Sequence, residues 1–286
     1  MKRFLLIVAI LFFAAPAFAC ARPTPGAGVR VGVSVAPQKY FVDQISGGSV
    51  EVQVLIPTGA NPHAYEPGPE QLRMLSDLAV FFAQGLEFEA ACLRRLRGMN
   101  PELRVVELGP GDSASGHEHA HDHVHANPHT WLSPRLVRMR SDVILKTLRE
   151  LQPERAAQFA ENHRKFGREI QGVDDYIRGR LAGVRGRLFI VYHPSWEFFA
   201  RDYGLRMLVV HDDGHEPSAR DMMRLVQAAR AAGVRTIFAE PGFDRRPVEV
   251  IAEDIGAQIK IIDPLAADWA ENLRASADRI AEGLAQ

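Results

Sequence analysis

Cysteine is almost absent from the chain, which has only Cys20 and Cys92 among its 286 residues. A disulfide framework and a zinc site built from several cysteines are therefore excluded. An excess of one charge is also lacking, because 34 basic residues stand against 35 acidic ones. The net charge of −1 gives no electrostatic basis for binding nucleic acid. The apolar run Phe4–Phe13 is shorter than the roughly 20 residues that a membrane-spanning helix needs, and no later run is long enough.

The first 19 residues have the pattern of a secretory signal peptide. A basic start, Met1–Arg3, precedes the apolar run Phe4–Phe13 and the small residues Ala17 and Ala19 of a cleavage site. We therefore expect export to the periplasm. Two alternatives stay open for Cys20: a lipidated first residue that tethers the mature protein to a membrane, or an unmodified residue of a soluble protein. Lipid-modification signals usually carry Leu where this chain has Ala17.

Removal of the signal peptide leaves about 265 residues, a length that favours two domains. The hydrophobic content of 47% is ample for packed cores. Short apolar runs alternate with amphipathic segments, which indicates an α/β fold with parallel strands. The predicted strands are 29–35, 50–56, 80–82, 104–108, 188–192, 207–210, 236–239 and 258–262. The predicted helices outside the middle of the chain are 38–45, 69–78, 87–96, 134–151, 196–203, 220–232, 247–255 and 269–284.

The segment 153–184 starts on a proline, which suits the first turn of a helix. Its apolar residues recur at steps of three, four or seven, as expected for one stripe along a helix. They are Phe159, Phe166, Ile170, Val173, Ile177, Leu181 and Val184. We predict one helix, roughly 45 Å long at 1.5 Å per residue, that joins an N-terminal lobe, 28–151, to a C-terminal lobe, 185–286. The alternative is two shorter helices with a break near Gly167 or Gly172.

Four polar residues follow predicted strands. His63 and His129 lie in loops after the second and fourth strands, whereas His193 and Asp263 directly follow the fifth and eighth. Ligands bind outside the carboxyl ends of the strands in open parallel sheets. If the two halves of the chain face each other across a cleft, the four side chains can converge on one point.

Three imidazoles and one carboxylate suit zinc, because together they satisfy tetrahedral coordination at contacts of about 2.0–2.2 Å. Proline residues beside these positions restrict the backbone and stiffen the loops. Each residue alone is weak evidence, and the repetition is what favours a shared site. We therefore predict a zinc site formed by His63, His129, His193 and Asp263.

A histidine-rich tract occupies residues 117–125, after a segment rich in Gly and Ser. Its histidines are His117, His119, His121, His123 and His125. Such a composition is typical of metal attraction without a fixed structure. Two interpretations stay open: the tract captures zinc weakly and passes it to the site that begins at His129, or it is a surface loop without a role in transport.

Other polar residues have less specific interpretations. His163 falls on the polar side of the predicted long helix, where we expect it to be solvated. Glu240 follows a strand, where it could be a ligand, although we expect it to bind backbone groups. Trp131 and Trp196 are expected to wall the site. Reserve ligands near the same edge are His211 and His215.

The loops around these residues resemble those of the zinc-specific solute-binding proteins of ABC importers, in the cluster A-I group of periplasmic zinc and manganese carriers. The resemblance covers nearly the whole mature chain, with the motifs in the same order. The segments that carry it are 61–67, 127–134, 192–195, 216–218, 238–241 and 263–265.

The resemblance implies two α/β lobes joined rigidly by one long helix, with the metal between them. It implies delivery of zinc to a membrane permease driven by a cytoplasmic ATPase, by a protein that we expect to be monomeric. His63, His129 and His193 match the family's three histidine ligands, and Asp263 matches a position where a carboxylate or water completes the shell. Manganese-preferring members carry a carboxylate where His193 stands, and a nitrogen there favours zinc. The short histidine tract and the absence of a cysteine pair in the second lobe depart from some members.

Two other functions share this site chemistry. A metallohydrolase also uses three histidines and an open position, but the chain has no His-Glu-x-x-His motif on a predicted helix and no Gly-x-Ser-x-Gly nucleophile motif. We therefore expect that the protein is not an enzyme. A zinc-binding adhesin or storage protein would have the same site, and the sequence does not separate it from a transport protein.

Overall fold

The computed structural model describes residues 28–57, 59–62, 65–109, 127–210 and 218–285. Several predicted features lie outside these residues. They are the signal peptide, Cys20, His63, the histidine tract 117–125, and the reserve ligands His211 and His215.

The first four strands form a parallel sheet in the order β2-β1-β3-β4. The strands are β1 Val29–Val33, β2 Val50–Val54, β3 Val80–Ala83 and β4 Arg104–Glu107. The predicted strands at 29–35 and 50–56 are longer than β1 and β2, because the apolar character continues past the strand ends. Leu55 and Ile56 are buried beyond β2 although they belong to a bend.

The last four strands form a second parallel sheet in the order β6-β5-β7-β8. The strands are β5 Leu188–Val191, β6 Arg206–Val209, β7 Thr236–Ala239 and β8 Gln258–Ile261. When the strands of each sheet are numbered from one in chain order, both sheets have the order 2-1-3-4. The strand order therefore changes direction between β1 and β3 in one sheet and between β5 and β7 in the other.

Helices connect the strands on both faces of each sheet. They are α1 Ala36–Ser46, α2 Pro69–Met74, α3 Glu89–Met99, α4 Pro134–Leu151, α5 Ala156–Leu181, α6 Glu197–Tyr203, α7 Ala219–Ala231, α8 Arg246–Ile255 and α9 Trp269–Leu284. Ser133 caps α4 by accepting a hydrogen bond from the Leu136 amide, and Ser218 caps α7 in the same way. Within the described residues, no helix is long and apolar enough to cross a membrane.

The long helix α5 is continuous through Gly167 and Gly172, so the alternative of two broken helices is wrong. Short 3-10 turns, Pro153–Arg155 and Ala182–Val184, flank it. Its apolar stripe is buried along its whole length, and it packs against α1 and α4 on one side and α6 and α9 on the other. The predicted fold class, two parallel-sheet α/β lobes joined by one long helix, is confirmed.

The prediction that His163 is solvated is wrong. The residue is only 7% exposed, and its Nε2 lies 3.0 Å from Ser141 Oγ and 3.1 Å from Asp142 Oδ1 on α4. The apolar stripe advances by seven positions from Phe159 to Phe166, and position 163 lies on the same face between them. Burial lowers the pKa of His163, and the nearby Asp142 carboxylate opposes that shift.

One apolar core extends from the first sheet to the second. It contains residues from both sheets and from α1, α4, α5, α6 and α9. At its centre Trp269 makes an edge contact with Phe41, with ring centroids 5.4 Å apart, and lies 6.1 Å from Phe166. Two smaller cores cover the outer faces, one under α2 and α3 and the other under α7 and α8. The two sheets are therefore packed into one body with their carboxyl edges beside a common cleft.

Candidate metal centre

The carboxyl ends of the central strands position the polar residues of the cleft. His193 follows β5 by two residues, and Glu240 directly follows β7. Because the strand order changes direction between β5 and β7, the loops after them diverge and leave a crevice. The equivalent crevice of the first sheet lies between β1 and β3, next to Ser34 and Gln84.

A buried amide network holds the His129 loop to the first sheet. The Gln84 side chain donates to the Pro128 carbonyl (2.6 Å) and to the Thr130 hydroxyl (2.8 Å). Its own side-chain oxygen accepts a hydrogen bond from Gln38 Nε2 at 2.8 Å. Gln38 Oε1 in turn accepts from the backbone N–H groups of residues 34 and 35, which follow β1. The residues on either side of His129 are therefore anchored at the point where the strand order changes.

Glu89 stabilises the same region from α3. Its carboxylate accepts hydrogen bonds from the Gln84 and Gly85 backbone amides and from the Ser34 hydroxyl. Burial raises the pKa of Glu89, and these hydrogen bonds oppose the shift. The effect is to fix the backbone at the end of β3, from which Gln84 reaches the His129 loop.

His129 is 3% exposed and is oriented by Asn127. The Asn127 side-chain oxygen lies 2.6 Å from His129 Nδ1 and also accepts a hydrogen bond from the His129 backbone amide at 3.0 Å. Since a carboxamide oxygen only accepts, the proton of the neutral ring lies on Nδ1, and Nε2 keeps the lone pair that a metal needs. The local geometry thus prepares His129 to bind through Nε2.

The imidazoles of His129 and His193 meet across the cleft. Their ring centroids are 5.2 Å apart with an interplanar angle of 69°, although the two residues belong to different lobes. Two imidazoles on one tetrahedral zinc, at Zn–N distances of about 2.0–2.1 Å, have centroids roughly 5 Å apart. The observed separation is therefore compatible with a shared ion.

Aromatic rings enclose the pair. Phe243 stacks on His193 with centroids 5.3 Å apart and planes only 19° apart, and Trp131 lies 5.1 Å from His129. His193 is 5% exposed and Trp131 is fully buried. Apolar walls of this kind exclude water and strengthen electrostatic attraction between a cation and its ligands. The expectation that Trp131 walls the site agrees with this contact.

Asp263 lies at the cleft edge but does not form a cluster with both histidines. Among the residues that the structure describes, no group of three or more His, Cys, Asp or Glu side chains is arranged to hold a metal. Asp263 Oδ1 accepts a hydrogen bond from the Leu265 amide at 2.8 Å, and its carbonyl accepts from Asn272 Nδ2 at 2.6 Å. Its role as a ligand stays a prediction.

Glu240 binds a side chain rather than the backbone groups that we expected. Its carboxylate accepts a hydrogen bond from the Ser195 hydroxyl at 3.2 Å, and it is almost completely buried. Burial holds the pKa of Glu240 well above its usual range, the Ser195 and Trp196 donors oppose the shift, and the negative Asp263 adds to it. Glu240 thus supports the loop that carries His193.

The loop that precedes His63 approaches the second lobe. A side chain on Gly242 would place its Cβ 3.3 Å from the Gly59 carbonyl oxygen, and Gly242 has a φ of 85°. Glycine is therefore favoured at this contact both by its conformation and by the lack of space. The 59–61 segment therefore meets the same loop whose Phe243 stacks on His193.

Sequence analysis missed three contributors to the site: Asn127, Phe243 and Gln84. The sequence did contain a signal for Asn127. The side-chain oxygen of an Asn often accepts a hydrogen bond from the backbone amide two residues later, which here belongs to His129. No comparable local signal marks Phe243 or Gln84, since their contacts join segments far apart in the chain.

Comparisons with known proteins agree with this architecture. The family described as zinc-uptake complex component A, periplasmic, matches residues 31–283. A crystal structure of ZnuA is similar with a TM-score of 0.83 at 37% sequence identity, covering 90% of this chain and 99% of that one. The high-affinity zinc uptake system protein ZnuA of Bacillus subtilis is 25% identical over 253 residues, which are 84% of this chain and 79% of that protein.

A second group of similar structures carries a different description. The laminin-binding protein of Streptococcus agalactiae, described as a bifunctional protein with adhesin and metal transporting activity, has a TM-score of 0.77 at 26% identity. The match covers 90% of this chain and 100% of that chain.

Proposed function

Because the chain belongs to the family of periplasmic zinc-uptake complex component A proteins, we propose that it captures Zn²⁺ outside the cytoplasm and delivers it to an ABC importer. The family implies a membrane permease and its ATPase as partners. Members of this family carry zinc and do not catalyse a reaction on it, so the chain is not an enzyme. Zinc is therefore the cargo of this protein.

The observation that carries the proposal is the meeting of His129 and His193 across the cleft. The two residues belong to different lobes, and each is almost completely buried. Two buried imidazoles form a donor set that favours zinc over the harder manganese ion. We propose His63 as the third ligand and Asp263, or a water molecule, as the fourth.

Zinc titration of the apoprotein tests this function. Apoprotein prepared with a chelator is expected to bind one Zn²⁺ tightly, at a 1:1 ratio, in competition with a chromophoric chelator. Manganese is expected to compete poorly, because nitrogen ligands rank it below zinc. Failure of the folded apoprotein to bind any zinc would contradict the proposal.

The histidine tract 117–125 is proposed as an auxiliary site of weaker capture. Deletion of residues 116–125 is expected to leave the tight site and its affinity unchanged, because the proposed ligands lie elsewhere. The same deletion should remove additional weak zinc equivalents, which equilibrium dialysis with excess zinc would count. Loss of the tight equivalent on deletion would show instead that the tract forms part of the main site.

Adhesion is a second candidate function, favoured by the similarity to the laminin-binding protein of Streptococcus agalactiae. It requires the same fold and the same zinc, so binding measurements alone do not distinguish it from transport. Growth of a strain that lacks the gene does: in zinc-poor medium, transport predicts a growth defect that added zinc relieves. An adhesin or storage role predicts normal growth under these conditions.

The location and assembly of the protein complete the proposal. We propose residues 1–19 as a cleaved signal peptide, Cys20 as a residue whose lipidation would tether the protein to a membrane, and the mature protein as a monomer without affinity for nucleic acid. The division into lobes 28–151 and 185–286 with a linking segment, 153–184, is part of the same proposal. Mass spectrometry of the exported protein would identify its first residue and any lipid.

A further inference from the structure

Asn127 connects the two lobes through one side chain. On its oxygen side it accepts hydrogen bonds from the His129 backbone amide (3.0 Å) and from His129 Nδ1 (2.6 Å). On its nitrogen side it donates to the Pro194 carbonyl (3.0 Å) and to Glu197 Oε2 (2.8 Å). Pro194 directly follows His193, so the two proposed ligand loops are bound to the same carboxamide.

The chemistry of this position requires an amide. A carboxamide offers two acceptor sites on oxygen and two donor hydrogens on nitrogen, and Asn127 uses all four. A carboxylate of the same size keeps the acceptors but loses the donors, and it would present a negative charge to Glu197. A hydroxyl has too few hydrogen atoms to donate to both partners. The position is therefore selective for asparagine in both shape and hydrogen-bond polarity.

The hydrogen bonds of the Asn127 oxygen and those of its nitrogen depend on each other. The oxygen side sets the tautomer of His129, and the nitrogen side holds the backbone beside His193. Movement of the His193 loop away from His129 would break the bonds to Pro194 and Glu197 and free the carboxamide to rotate. Rotation would in turn remove the acceptor from His129 Nδ1.

We propose that Asn127 is a positioning residue that couples the His129 ring to the His193 loop, so that zinc is held only while that loop stays bound to Asn127. This inference rests on the proposed function, since it assumes that both histidines bind zinc. Asn127 acts through its neighbours and does not touch the ion. Its effect should therefore fall mainly on the rate of zinc dissociation.

The test measures zinc dissociation by stopped flow into excess chelator. N127D is expected to accelerate dissociation about 10- to 100-fold, the usual range for loss of a group that supports a metal ligand. Its Co²⁺ absorption spectrum should stay tetrahedral, because the carboxylate still accepts the hydrogen bond from His129. N127A, which loses both sides, should dissociate at least as fast and also shift the Co²⁺ spectrum.

A double variant with compensated charge distinguishes loss of the Asn127 contact from a general structural defect. In N127D/E197Q the glutamine amide can donate to the new carboxylate, which reverses the polarity of the bond between residues 127 and 197. We expect the double variant to dissociate zinc more slowly than N127D and to recover a large part of the lost lifetime. A simple structural defect at position 127 would not be rescued by a change at position 197.

Asn100 offers a matched control. Its oxygen accepts from the Glu102 amide (3.1 Å) and its nitrogen donates to the Leu78 carbonyl (3.0 Å), as Asn127 does in the cleft, but it lies at the opposite, amino end of the strands. N100D is expected to release zinc at the wild-type rate.

Equal acceleration in N100D and N127D, a wild-type rate in N127D, or absence of rescue in N127D/E197Q would each overturn the inference. Absence of zinc binding by the wild type would instead overturn the proposed function.

Discussion

Replacement of His129 by alanine is expected to weaken zinc binding by at least about 100-fold, more than loss of a supporting residue usually costs. The variant loses the Nε2 lone pair that the Asn127 contact keeps available, and it removes one of the two imidazoles that meet across the cleft. The protein should still fold, because the amide network anchors the loop through Pro128 and Thr130 rather than through the imidazole. Competition titration against a chelator of known affinity measures the loss.

H163A is the control for removal of a histidine. His163 is buried between α4 and α5, outside the cleft, where it contacts Ser141 and Asp142. Its replacement is expected to lower stability and to leave the zinc affinity within a few-fold of the wild type. An unchanged affinity in H129A, with full 1:1 binding, would remove His129 from the site and with it the cleft geometry on which the function is argued.

Replacement of Trp269 by alanine is expected to lower the free energy of unfolding of the zinc-free protein by about 3–5 kcal/mol. The side chain is fully buried in the core that both lobes share, against Tyr40, Phe41 and Phe166. Its indole N–H also donates to the Trp131 carbonyl at 2.7 Å. Alanine would leave a large cavity and an unsatisfied carbonyl. Urea unfolding followed by circular dichroism measures the effect.

W269F separates the packing from the hydrogen bond. Phenylalanine keeps much of the aromatic volume but cannot donate to Trp131, so we expect a smaller loss in which the buried unpaired carbonyl accounts for about 1–3 kcal/mol. Because Trp131 lies beside His129 and its own indole binds the Pro264 carbonyl at 2.6 Å, both variants should also reduce zinc affinity. A loss below about 1 kcal/mol in W269A would contradict the shared core.

The sequence was most informative where the pattern was local. Alternating apolar runs predicted all eight described strands within a few residues, and the stripe from Phe159 to Leu181 predicted the continuous helix α5. Strand ends were less accurate because burial and backbone hydrogen bonds continue past the end of β2, as at Leu55 and Ile56. The failure at His163 came from judging the residue by its polarity, when its position on the helix placed it on the buried face.

Contacts between distant segments could not be predicted from the sequence. The order of strands in each sheet depends on which edges pair, and alternation alone predicts a parallel sheet without its order. The stacking of Phe243 on His193 and the hydrogen bonds from Asn127 to Pro194 and Glu197 join residues that share no local pattern. The sequence predicted that His129 and His193 converge only on the condition that the two lobes face each other. His63 and Asp263 stay predictions as ligands.

The unbroken course of α5 determines where the energetic cost of metal binding arises. A protein whose halves swing on a flexible strand must give up conformational entropy each time it closes on its ligand, and that loss is subtracted from the affinity. Here α5 packs on helices of both lobes, so the relative orientation of the halves is already set when the chain folds. Little ordering is left for the ion to induce, and opening is restricted to the loops at the rim of the cleft.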